Sequence, residues 1–546
     1  MKIFSLGIFV LLSLLSCKTQ SVTPEQFYFK TVTVNGNQSG GFYANNLNLT
    51  PKVDIAFSAP LNKESAQTSI VLQEKNSSAN IPLNLTFSRN DSAVSVSPQQ
   101  PLKSITQYNL LVNPELISKN KTLFNSTLKL GMTTSLDTTD KFPRISDEEL
   151  LTLIQKQTFK YFWDFGHPVS GLARERNTSG DVTTSGGTGF GIMTIPVAIE
   201  RGFISRKEGL ERMLKMTDFL INKAKSYHGI FPHWLNGANG ETIPFSANDN
   251  GADIVETSYL MQGLLTVRQY FNQETAEETK LRKEINQLWN AADWNWHTKN
   301  GEKVLYWHWS PNLEWKMNHQ IHGWNECLIT YFLAAASPTH PISKEVYDNG
   351  WAENGKMKNG KTYYGTTLPL GFDYGGPLFF SHYSFLGLDP RNLKDQYANY
   401  WEQNVAHTKV NYGYCLANPK NYNGYGKNCW GLTASDSNNG YAAHSPTEDL
   451  GVISPTAAIS AMPYTPKESM EALKFFYYKL GDKIWKQYGF VDAFNLTNLW
   501  WADSFLAIDQ GPIVCMIENH RTGLLWKLFM SCPEVQAGKL KLGFDK

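Results

Sequence analysis

The hydrophobic period of this chain changes once, at Ser146, and that change forbids a single uniform fold. Before it, short runs alternate apolar and polar residues, the period of a half-buried strand. After it, apolar residues recur every three or four positions, the period of an amphipathic helix. The tryptophans respect the same divide: all 16 stand at or after Trp163. Two unlike parts are therefore expected.

Residues 25–135 read as all-β. The runs are Phe27–Val34, Lys52–Phe57, Thr68–Gln73, Ile81–Phe87, Ala93–Ser97, Gln107–Val112 and Thr127–Met132, separated by Asn, Gly, Pro and Ser clusters. About seven short strands with frequent turn signals predict a small immunoglobulin-like (Ig-like) sandwich. The strings VDIAFSAPLNKESAQTSIVL and VSVSPQQPLKSITQYNLLV resemble bacterial Ig-like domains that precede exported enzymes. Residues 136–144 are rich in Ser, Thr, Asp and Pro character and read as a linker. From 145 to 546 the pattern is all-α. Ser146 and Glu149 spell a capping box ahead of Leu150, Leu151, Ile154, Thr158, Phe159 and Phe162. Further helices are expected at 189–201, 205–225, 252–271, 275–293, 318–336, 343–352, 376–387, 392–407, 454–462, 466–480 and 496–519. A dozen helices joined by long Gly/Trp/Tyr-rich loops suggest an (α/α)6 barrel with functional loops.

Composition excludes several classes. Apolar content of 41% and charged content of 18% exclude disorder for most of the chain. A net charge of +1 without a basic block excludes a nucleic-acid footprint. Lys2 followed by the apolar run Ile3–Leu15 reads as a secretory signal, too short to span a bilayer. Leu14-Leu15-Ser16-Cys17 resembles a bacterial lipobox, so residues 1–17 are expected to be a lipoprotein signal with Cys17 lipidated. The expectation is then an outer-membrane lipoprotein facing the periplasm, monomeric, touching membrane only through its anchor. Five more cysteines remain, an odd number. Cys415 and Cys429 share one loop and are the expected disulfide, against the plainer reading of small buried apolar side chains.

Candidate chemistry gathers in four segments. NDNGADIVETSYLMQGLL places Asp249, Asp253 and Glu256 at i, i+4 and i+7, one face of a helix if it starts at Asp249. Such a row repels itself and needs a partner or a purpose; capping accounts for the first two acids and not for Glu256. Glu326 follows Trp324 at the head of an apolar helix, where enclosure would raise its pKa and suit a general acid. His319, His322 and Glu326 share a face but match no strong metal motif, so no metal or cofactor is expected. His444, Glu448 and Asp449 precede a Ser/Pro-initiated helix. Asp503 and Asp509 stand in an apolar, aromatic stretch, with Glu518 and Arg521 beyond as a structural ion pair. The segment WNWHTKNGEKVLYWHWSPNLEW, with Trp307 and Trp309, offers flat rings for sugar C–H faces. Scattered carboxylates and tryptophan-rich loops point towards glycoside hydrolysis, which needs two carboxyl groups.

GFDYGGPLFFSHYSFLGLDPR, SPTEDLGVISPTAAISAMPY and FLAIDQGPIVCMIENHRTGLLW resemble the glucoamylase-like family of exported bacterial proteins, glycoside hydrolase family 144. The resemblance runs from about Arg144 to Phe544. It implies an (α/α)6 barrel that hydrolyses β-1,2-glucan with inversion, either endo or by releasing sophorose. It implies essential acids at Asp249, Asp253, Glu256 and Glu326, with Glu326 as general acid and Asp509 as the base, against competition from Asp503, Glu448 and Glu256. Trp324, His382, Tyr383 and Arg391 become expected sugar contacts. The competing readings are another glucan specificity, a polysaccharide lyase, and a glycan-binding lipoprotein without catalysis.

Overall fold

Alternation in the first part builds strands whose inward side chains meet. The computed structural model describes residues 26–38 and 42–544. The expected signal segment and Cys17 lie outside the described residues. The chain divides between Asp137 and Thr138 into two units.

The first unit has strands β1 Phe29–Val34, β2 Asn37–Gln38, β3 Tyr43–Leu47, β4 Val53–Phe57, β5 Ile70–Glu74, β6 Asn80–Ile81, β7 Leu83–Ser88, β8 Ala93–Pro98, β9 Gln107–Val112 and β10 Leu128–Thr134. They form two five-stranded sheets, ordered β2-β1-β4-β8-β7 and β3-β10-β9-β5-β6. Each register sends alternate residues inward. Val53 and Ile55 of β4 pair with Val96 and Val94 of β8 and share one buried cluster with Leu110 and Leu130 of the other sheet. All seven expected strands are present. A short helix α1, Lys63–Ser69, fills the gap after the second of them, capped by Asn62 Oδ1 accepting from Ser65 N–H at 2.9 Å.

The second unit carries α2 Asp147–Trp163, α3 Ser185–Glu200, α4 Arg206–Asn222, α5 Ile254–Tyr270, α6 Ala276–Ala291, α7 Leu328–Ala336, α8 Lys344–Asn349, α9 Tyr400–Ala417, α10 Pro455–Ser460, α11 Pro466–Tyr478, α12 Gly481–Ile484, α13 Ala507–Arg521, α14 Leu524–Met530 and α15 Pro533–Leu542. The Ser146/Glu149 capping box opens α2 as expected. Residues 138–144 strap onto α11: Lys141 N–H donates to the Tyr478 carbonyl, and Asp140 pairs with Arg144 and Lys479.

Several expectations are corrected. The expected helix 376–387 is a run of tight 3-10 turns broken by the left-handed Gly375 and Gly376 just before it. The 318–336 and 496–519 helices begin only at Leu328 and Ala507, because the preceding residues form loops and short strand pairs. Cys415 and Cys429 are free thiols buried in the core, as are Cys327, Cys515 and Cys532, so the expected disulfide is absent and the plainer apolar reading stands. Glu518 does not pair with Arg521. It takes a bidentate bond from Arg201 (2.8 and 2.8 Å), while Arg521 reaches back to Gln155 and Glu148 on α2.

The helix that matters most for the site is α3, whose glycine-rich start, SGGTGFG, looks unfavourable for a helix. The glycines allow contact that no side chain permits. A Cβ on Gly189 would sit 2.1 Å from the Tyr259 carbonyl oxygen of α5, and one on Gly263 of α5 would sit 2.3 Å from the Gly189 oxygen. Backbone meets backbone, so neither helix can yield locally. Gly189→Ala should therefore lower stability by at least ~2 kcal/mol, read from denaturant unfolding; an unchanged midpoint would show that α3 and α5 are free to separate.

Candidate active site

Two small strand pairs carry the acids to one place. Strand β11 (Val182–Thr184) pairs with β12 (Trp234–Asn236), setting Thr184 opposite Trp234 and placing His233 beside the start of α3. Strand β14 (Ala252–Asp253) pairs with β15 (His308–Trp309), setting Asp253 opposite His308. Asp253 is the N-cap of α5: its Oδ1 accepts from the N–H groups of Val255 (3.0 Å) and Glu256 (2.9 Å). Its Oδ2 lies 3.1 Å from His233 Nδ1.

Glu256 stands in the first turn of α5 and points at the first turn of α3. Its Oε2 accepts from Gly186 N–H (2.8 Å) and from Thr184 Oγ1 (3.2 Å). A Cβ on Gly186 would lie 2.4 Å from that oxygen, so this approach also requires glycine. Thr184, the N-cap of α3, gives its hydroxyl to Glu256 and not to its own helix. A helix N-terminus favours this negative charge. Asp249 precedes the helix and faces His308 Nε2 at 3.3 Å. The three acids thus converge as anticipated, but not along one helical face: α5 starts at Ile254, and a loop and a cap supply the first two.

Charge balance explains the cluster. Burial alone would lower the His233 pKa, but Glu256, Asp253 and Asp249 outweigh it and push it up to about 9, so the ring is an imidazolium. Asp253 is buried, yet the bond and charge from His233 hold it below the usual carboxylate range. Burial and the charge of Asp253 push Asp249 up to about 7. The ligand atoms of His233, Asp249 and Asp253 lie within 4.8 Å of one another, near enough for a metal ion. The proton of His233 already supplies the positive charge these acids need.

Glu326 differs. It sits just before α7, its carbonyl accepting from Ser384 Oγ at 2.5 Å. Among the described residues no salt bridge reaches its carboxyl. Burial, with smaller contributions from Glu256 and Asp253, pushes it up to about 7. Glu326 and Glu256 line one cavity of about 380 Å³, walled by aromatic rings including Phe245, Trp307, Phe379, Tyr383 and Tyr441.

The cavity's other side is acidic too. Glu175 and Arg176 line it; Arg176 binds Glu175 (3.0 Å) and Asp436 (3.0 Å). Asp436 N–H donates to Asp492 at 2.7 Å. Asp509 lies one layer behind the wall, where its charge is felt by Tyr383 and Tyr441. Both of its oxygens are buried, and among the described residues no protein donor reaches them. Its neighbour is Asp492, pushed up to about 7 by burial and by Asp436. Two adjacent carboxylates have no hydrogen between them, so a shared proton is the arrangement that satisfies both.

Of the expected sugar contacts, Tyr383 and Trp307 line the cavity. Trp309 packs instead against His228 and Trp296. Trp324 is a core residue between Trp351, Phe385 and His407. His382 is buried against Tyr464. Arg391 pairs with Asp389 over the Trp526 ring. His444 is buried, Glu448 and Asp503 are exposed, and none of them lines the cavity. The residues missed from sequence are His233, Glu175, Arg176, Asp436, Asp492, Phe245 and Tyr441. His233 is a lone histidine 20 residues from its partner acid, joined to it only by tertiary pairing.

A buried imidazolium has a definite pH signature. The folded pKa of His233 is above its unfolded value, so its stabilisation is complete below about pH 6.5 and disappears as pH rises through about 9. His233→Asn should lower stability by ~3 kcal/mol at pH 6, with the gap to the parent closing towards pH 9. A gap independent of pH would contradict the protonated ring.

Residues 318–533 match a family model described as "Putative glucoamylase". An exo β-1,2-glucooligosaccharide sophorohydrolase (non-reducing end) of Parabacteroides distasonis is 48% identical over 421 residues, covering 73% of this chain. The chain spans 58% of the length of that curated relative. The solved endo-β-1,2-glucanase of Chitinophaga pinensis, a sophorotriose and glucose complex, is 55% identical over 73% of this chain and 99% of its own, with a TM-score of 0.72. A solved β-1,2-glucanase of Parabacteroides distasonis is 38% identical, covering 94% of this chain and 72% of its own, with a TM-score of 0.71. With 55% identity to a glucanase whose length it covers almost completely, the chain belongs to the glucoamylase-like family, glycoside hydrolase family 144.

Proposed function

We propose that this chain hydrolyses β-1,2-glucan or β-1,2-glucooligosaccharides with Glu326 as the general acid. The observation that carries the reading is the environment of Glu326: a carboxyl in an aromatic-walled cavity, with no salt bridge among the described residues, pushed up to about 7. It keeps its proton up to about pH 7, well above an ordinary glutamate, and can give it to a leaving glycosidic oxygen. Its neighbour Glu256 accepts from a backbone N–H and a hydroxyl and faces His233, although burial and the charge of Asp253 still raise its pKa. A carboxyl without a salt bridge and a carboxyl held by donors in one cavity suit the two roles that glycoside hydrolysis needs.

The water-activating carboxylate is then one of three. Glu256 and Glu175 reach the cavity. Asp509, the expected base, is buried near Tyr383 and Tyr441 and does not line the cavity, so it would act by relay through a substrate hydroxyl. Azide separates them: it restores turnover to the variant lacking the base and yields a glycosyl azide. Inversion is part of the proposal, supported by the family resemblance, and the anomer first released, followed by NMR, tests it. The likeness to both an exo sophorohydrolase and an endo glucanase supports the β-1,2 linkage and leaves either mode of attack open.

The proposal also covers architecture and location. The helical unit is read as an (α/α)6 barrel, supported by the close α3–α5 packing and by the loops that gather the acids at the starts of these helices. The two-sheet unit is read as Ig-like, supported by its strand number and alternation. Export, with Cys17 lipidated and the protein a monomer held on the periplasmic face of the outer membrane, is supported by Lys2, the Ile3–Leu15 run and the Leu14–Cys17 box. Metabolic labelling with a fatty acid should mark the parent and not Cys17→Ala.

Glu326→Gln should lose at least ~10³-fold in turnover of linear β-1,2-glucan while still folding. The parent's turnover should fall as pH rises through about 7, because the acid form is then lost. Full activity of Glu326→Gln, or release of glucose from starch alone by the parent, would reject the assignment.

A further inference from the structure

Two aromatic rings at the cavity are far more exposed than folding alone explains. Phe245 and Tyr441 each leave 49% of their surface accessible, yet both line the cavity that holds Glu326. The other rings of that wall are more deeply covered. The outward face of each ring gains nothing from packing in the free protein.

Both rings stand on backbone that is tied down. Phe245 lies on a loop tied to the acid cluster: its N–H donates to the Asp249 carbonyl (2.9 Å), and Asp249 N–H returns a bond to Ser246 (3.1 Å). One face of the phenyl ring stacks on His233, centroids 4.2 Å apart at 23°, and its edge meets Trp234. Tyr441 sits on a hairpin of two short strands, Ser435–Ser437 and Gly440–Ala442, directly across from Asp436. Asp436 is anchored in turn by Arg176 and by Ser504 Oγ (2.6 Å). The backbone under each ring is therefore tied to one of the two charge networks, and the Phe245 ring is also held by its stacking.

We infer that Phe245 and Tyr441 are specificity-determining platforms that stack on the apolar C–H faces of successive hexopyranose rings and so select a β-linked glucan chain. The inference rests on the proposed hydrolase reading for the identity of the sugar. A pyranose with equatorial hydroxyls presents two apolar faces, and a fixed aromatic surface accepts such a face at little cost in conformational entropy. Neither ring carries out chemistry, so their removal weakens binding more than it slows the bond-breaking step.

The test compares Phe245→Ala, Tyr441→Ala and the flat replacements Phe245→Trp and Tyr441→Phe with the parent. Kinetics on linear β-1,2-glucan should show KM raised about tenfold in each alanine variant, with a much smaller fall in kcat, and near-parental KM in the flat replacements. Because Phe245 also touches His233, thermal midpoints accompany every variant. A binding arm uses the Glu326→Gln protein, with or without each alanine change, against a panel of linear glucans of different linkage. If the parent cleaves no β-1,2-glucan, the hydrolase reading fails, and the platforms are judged on whichever glucan binds. Unchanged KM and unchanged affinity in folded alanine variants overturn the inference, as does an equal loss in the flat replacements. Failure of every glucan to bind overturns both.

Discussion

A single proton on His233 holds the acidic wall of the cavity together. Asp253, Glu256 and Asp249 are buried around it, and without a cation their repulsion and desolvation would oppose folding. Much of the remaining cost is offset by backbone: the N-cap bonds of α5 satisfy Asp253, and Gly186 at the start of α3 satisfies Glu256. The Gly186 bond forms only because glycine lets α3 approach α5 this closely. The packing of two helices and the ionisation of the site are thus one constraint seen at two scales. Glu326 stands beside this arrangement but outside its compensation, and burial pushes it up to about 7.

The opposite wall solves the same problem differently. One guanidinium, Arg176, serves Glu175 and Asp436, while Asp492 and Asp509 are left to share a proton. This second network carries the hairpin of Tyr441, as the first carries the loop of Phe245. Charge deep in the structure therefore fixes the apolar surfaces at the cavity mouth. A change to either network is expected to alter both the protonation of the acids and the shape presented to a sugar.

Much of this was legible in the residues. The strand runs before residue 135 and the Ser146 capping box depend on local period and cap chemistry, and they appear where expected. That Asp249, Asp253, Glu256 and Glu326 gather in one region was legible because acids among apolar residues demand a reason. Their geometry was not: a helical wheel cannot show that α5 begins at Ile254 or that a loop supplies Asp249. Trp324 and His382 illustrate the converse. The same aromatic residues that would bind a sugar also fill a core, and only burial separates the two uses. His233 was invisible because its partner acid lies on another element and no local spacing records the pairing.

The central claim is that Glu326 carries a proton at neutral pH inside the cavity. The direct measurement is a pH titration of its side-chain carboxyl by carbon-13 NMR, with Glu326→Gln identifying the resonance. The account predicts a midpoint near 7, set by burial and by the charged neighbours. A midpoint near the ordinary glutamate value of about 4.3 would mean that the carboxyl is ionised in the resting protein. Glu326 would then not be the acid, and the division of roles between the carboxyls would have to be reversed.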